Sequence, residues 1–77
     1  MSAYNIQNRL EIIGKKQADL LREINVIGVP YPYTRVDPGE LSRFINGISN
    51  PPKSDAILAK CDEILTKWED EIREALK

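Results

Sequence analysis

Histidine is absent from this chain, and cysteine occurs once, at Cys61. Those two facts remove most familiar site chemistry. A Ser-His or Cys-His nucleophile cannot be assembled without an imidazole. A zinc centre would need an unusual, nearly all-carboxylate ligand set. Lysine and carboxylate chemistry remains formally open, but no residue pattern points to a deep pocket to house it. The reading is therefore of a protein that binds without catalysing, with neither cofactor nor metal. Cys61 falls among apolar residues at helical spacing, which suits a small buried hydrophobe better than a reactive thiol.

The side chains suited to binding are basic and lie early in the chain. Residues 1–53 hold seven Lys/Arg against five Asp/Glu, a balance of +2, whereas residues 54–77 hold four against seven, a balance of −3. The net charge of −1 thus hides an asymmetry, and an anionic partner is expected to meet the first part of the chain. Candidate anion contacts are Lys15, Lys16, Gln17, Arg35, Arg43 and Lys53. Lys16 and Gln17 open a helix, where cationic reach and free amides coincide.

Four helices and one loop must position these residues. An apolar face at Ile6, Leu10 and Ile13 predicts a first helix from about Ser2, which Gly14 ends. A second short helix is expected from about Lys16 to Asn25, with Ala18, Leu20, Leu21 and Ile24 apolar. Val26 to Val36 contains Gly28, Pro30 and Pro32 and is expected as an extended loop or a short hairpin-like excursion. Asp37, Pro38 and Glu40 form a capping-box-like start to a third helix, which Asn46-Gly47 stops. Ser54 is expected to cap a last helix running to Leu76, on which Leu58, Cys61, Leu65, Trp68, Ile72 and Ala75 recur in a heptad-like stripe.

The 77 residues hold one domain, with a core expected over about 3–65 and a helical extension over 66–77. The fold class is all-α, with four to five helices. No apolar run approaches the roughly 20 residues of a membrane span, no signal peptide is evident, and the lone cysteine fits a reducing cytoplasm.

Gly14, Gln17, Leu20 and Leu21, then Val36, Asp37 and the run Leu41-Ser42-Arg43-Phe44-Ile45-Asn46-Gly47 through Pro51, resemble the lambda-type phage repressor and Cro-like (Xre-type) helix-turn-helix family. Ile57, Leu58, Cys61 and Leu65 fit its following helix, so the likeness spans about residues 6–65. It implies a small cytoplasmic transcription regulator or repressor of phage or mobile-element type, binding double-stranded DNA with its third helix in the major groove. Glu40, Ser42 and Arg43 join the DNA candidates on that helix, Arg43 as a partner for guanine and Glu40 as an acceptor for cytosine. The chain departs from the family in the long Pro-Tyr-Pro-Tyr connection between its second and third helices. It departs again in carrying Pro38 and Gly39 where base-reading side chains usually stand.

Tyr31 and Tyr33 either cover the chain's own thin core or meet a partner. Cys61, Leu65, Trp68 and Ile72 mark a stripe expected either to pair with a second copy, since dimers commonly hold two half-sites, or to bend back and pack Trp68 onto Ile6 and Leu10 of the first helix. The alternative function is a protein-interaction module that uses the Tyr-Pro loop and last helix to modulate another protein.

Overall fold

The computed structural model describes residues 4–76 and is all-α, with four helices and no strand among those residues. Helix α1 covers Ile6–Ile13, α2 Gln17–Ile27, α3 Pro38–Ile45 and α4 Lys53–Ala75. Ser2, the expected start of the first helix, lies outside the described residues.

Each boundary has a local cause. Gly14 adopts φ 72° and its amide closes on Leu10 and Glu11, the left-handed stop that glycine supplies at least steric cost. Helix α2 runs to Ile27, two residues past the expected end at Asn25, and stops where Gly28 takes φ 107°. The segment from Gly28 to Asp37 is non-helical, as Pro30 and Pro32 require. Asp37 stands at the N-cap of α3 in extended conformation, and its amide donates to Glu40 Oε1 at 3.4 Å. Its own carboxylate also accepts from Arg35 Nη2 at 2.8 Å.

Helix α4 begins at Lys53, so Ser54 is not its cap. Ser54 lies buried inside the first turn, where its Oγ accepts the Asn50 amide at 2.9 Å and braces the Pro51-Pro52 turn.

All four helices feed one core: Ile6 and Leu10, Leu20 and Ile24, Leu41, Phe44 and Ile45, then Ile57, Cys61, Ile64 and Leu65, with Val36 from the loop. The α4 contribution recurs at i, i+4, i+7 and i+8, the wide stripe of a helix packed on a globular core. Cys61 and Leu65 are fully buried within the chain, which removes both from any interface with a second copy. Burial pushes the Cys61 thiol up to about 12. Trp68 is half-buried against the same core, and Lys15 Nζ sits 5.1 Å above its ring.

A polar clasp also fastens α1 to α4. Arg9 donates to Asp62 Oδ1 at 2.6 Å, to both Glu69 oxygens at 2.8 and 3.0 Å, and to Thr66 Oγ1 at 3.3 Å. No described helix is long and apolar enough to cross a membrane.

Candidate nucleic-acid interface

The basic residues of the first part of the chain divide into those consumed by the fold and those left free. Lys53 Nζ lies 3.0 Å from Glu40 Oε1, and both side chains are largely covered, at 22% and 18% exposure. The Tyr33 ring lies 5.8 Å from the same ammonium, so one cation ties the loop, α3 and α4 together. Glu40 and Lys53, both expected from the sequence to meet DNA, are paired with each other in the fold. Arg35 is exposed but engaged with Asp37. Ser42 is half-buried, its carbonyl accepting the Asn46 amide group at 2.8 Å and its Oγ standing 3.4 Å from the same nitrogen.

Arg43 is different. It is exposed and forms no ion pair with any described carboxylate. A Cβ added at Gly39 would stand 3.6 Å from Arg43 Nη1, so the guanidinium folds back one turn and covers the glycine. The charge thereby reaches the N-terminal end of α3, where Pro38 and Gly39 carry no polar side chain of their own. That placement was open to sequence reasoning through the i, i+4 spacing of Gly39 and Arg43, yet the glycine reads there only as a missing reader.

Helix α2 presents its start beside the start of α3. Lys16 is exposed at the N-cap, with its amide donated to Asp19 Oδ2 at 2.9 Å. Gln17 is half-buried and its Nε2 donates to Gln7 Oε1 at 2.8 Å. Lys15 is exposed on the connection from α1, held above Trp68. Between the two helix starts runs a cleft of about 180 Å³ lined by Gln17, Ala18, Leu21, Pro38 and Leu41. Apart from Gln17 its walls are apolar.

A second cleft of about 330 Å³ lies between α1 and the end of α3. Asn5, Gln7, Asn8 and Asn46 line it with Glu11, Ile6 and Ile45, giving one titratable group and no acid–base pair. Among the described residues no three His, Cys, Asp or Glu side chains gather as a metal site would require.

Tyr31 and Tyr33 part company. Tyr33 is the half-buried anchor beside Lys53, whereas Tyr31 is 95% exposed. Ile72 is exposed at 37%, near the end of α4. No protein-family model, curated protein or solved structure matches the chain.

Proposed function

We propose that the chain is a small DNA-binding regulator of the lambda-repressor or Cro type, which lays the start of α3 in the major groove while the start of α2 meets the phosphate backbone. The observation that carries this reading is Arg43, unpaired and folded over Gly39 to the exposed end of α3. A guanidinium at that place can donate two parallel hydrogen bonds to guanine O6 and N7. Gly39 has no side chain and Pro38 only a compact apolar ring, so the helix start can approach the base edges closely. Lys16 supplies an unpaired cation at the start of α2, suited to a phosphate.

Binding to duplex DNA, followed by fluorescence anisotropy, tests the reading. Lys15, Lys16 and Arg43 are the cations best placed, so log affinity is expected to fall with log salt at a slope of about −2 to −3 per protomer. Arg43→Glu is expected to abolish binding, and Lys67→Glu, on the exposed flank of α4, to leave it nearly unchanged. No binding to any duplex at low salt, or equal losses from the two reversals, overturns the reading.

One observation favours the alternative of a protein-interaction module. Tyr31 stands almost wholly in solvent, and Val26 and Ile27 at the end of α2 are exposed at 74% and 50%. Under that reading Tyr31→Ala weakens capture of a protein partner, and Arg43→Glu does not.

A further inference from the structure

We infer that the cleft between the starts of α2 and α3 receives the 5-methyl group of a thymine, in the same half-site as the guanine that Arg43 contacts. The inference rests on the DNA-binding reading and adds to it a second, apolar element of sequence choice. The cleft is floored by the buried Leu41, walled by the half-buried Leu21, and rimmed by the exposed Ala18 and Pro38. Pro38 has no amide hydrogen to offer, and one N–H of the Gln17 side-chain amide is already given to Gln7. At about 180 Å³ the space falls below the roughly 300–1,000 Å³ of small-molecule sites, but it admits a methyl group with the C5–C6 edge of a pyrimidine.

The chemistry of the groove selects among bases. Guanine, adenine and cytosine present acceptors or donors in the major groove, and each would lose hydrogen bonds to water against these walls. Thymine presents its O4 acceptor there too, but it alone sets a methyl group beside it. The unpaired cations near the cleft, Lys16 beside Gln17 at the start of α2 and Arg43 over Gly39 beside Pro38, draw a polyanion towards it. An apolar notch near two free cations therefore matches an apolar group carried on a phosphate backbone.

The test is selection of tight-binding duplexes from a randomised pool, followed by replacement of each thymine in turn with uracil, which removes only the 5-methyl group. One thymine in each half-site is expected to show about a fourfold loss of affinity on replacement, the value of one buried methyl. Ala18→Gln, at the exposed rim, is expected to retain DNA binding while erasing the thymine–uracil difference. Selected duplexes that bind equally with thymine or uracil throughout, or a difference that survives Ala18→Gln, overturn this inference and leave the DNA reading standing. Failure to enrich any duplex overturns both.

Discussion

Arg9 has the densest set of polar contacts of any described side chain, and its type alone does not announce this. It is an arginine on a helix whose neighbours in sequence are unremarkable, and its partners Asp62, Thr66 and Glu69 stand more than fifty residues away. The hydrogen bond to Arg9 holds the Glu69 carboxyl below its ordinary value near 4.5. A lowered folded pKa means that the unfolded chain binds the proton more readily, so this stabilisation is present above about 4.5 and lost as pH falls through the folded value. Arg9→Ala is expected to cost about 2–3 kcal/mol in urea unfolding at neutral pH, because it leaves two carboxylates without their shared partner. Glu69→Gln is expected to flatten part of the acid limb of stability against pH. Cys61 gives the opposite sign. Its thiol is raised by burial, so its contribution is complete below the ordinary value near 9.0 and lost as pH rises from there through about 12. Native protein is accordingly expected to resist alkylation at neutral pH, with labelling appearing only in denaturant. Rapid labelling of folded protein would contradict the buried position.

At the scale of elements, what was legible in the sequence was local. Gly14, Asp37-Pro38 and Asn46-Gly47 announce ends that need only their own backbone geometry, and the loop follows from two prolines and a glycine. The periodicity of α4 was harder to read. Choosing Leu58, Leu65, Ile72 and Ala75 makes a seam at heptad spacing, whereas the core takes Ile57, Cys61, Ile64 and Leu65 and leaves Ile72 and Ala75 exposed. A seam for one partner helix and a broad stripe for three differ by which flanking isoleucines are covered, and only tertiary packing decides that. The same limit hid the contact of Lys53 with Glu40 and Tyr33, which joins three elements across the long connection. The candidate site was legible in part: Arg43 and Lys16 are free, but Glu40, Lys53 and Arg35 have partners no spacing rule reveals. A double-mutant cycle on Glu40→Gln and Lys53→Met is expected to show a coupling of about 1 kcal/mol in stability, since the pair is shielded from solvent. DNA affinity is expected to change little in either single variant. A loss as large as that of Arg43→Glu would return both residues to the interface.

At the scale of the whole molecule, the particle measures 39 × 25 × 17 Å and its long dimension follows α4. The core covers α4 only as far as Leu65, with Trp68 half-buried beyond it, and the last turn leaves Ile72 and Leu76 exposed at 37% and 82%. The apolar surface open to a second copy is therefore the short stretch from the free edge of Trp68 to Leu76, and no longer the full stripe. Two chains crossing there would bury both pairs of side chains, each worth roughly 1.5–3 kcal/mol if wholly covered. We expect self-association through this end of α4. Trp68→Ala is a poor probe of it, because that ring also packs on the core and under Lys15, so its loss loosens the monomer. Ile72→Asp is cleaner, since the position bears little of the fold. Sedimentation over a range of concentrations is expected to show a monomer–dimer equilibrium in the native chain and a monomer in the variant. The coupling to DNA gives a second readout. Ile72→Asp should weaken binding to a duplex with two half-sites by tenfold or more and leave a single half-site unaffected, because only the former gains from holding two domains in one particle. A single monomeric mass at every concentration, with equal affinities on the two duplexes, would make this a regulator that acts one domain at a time.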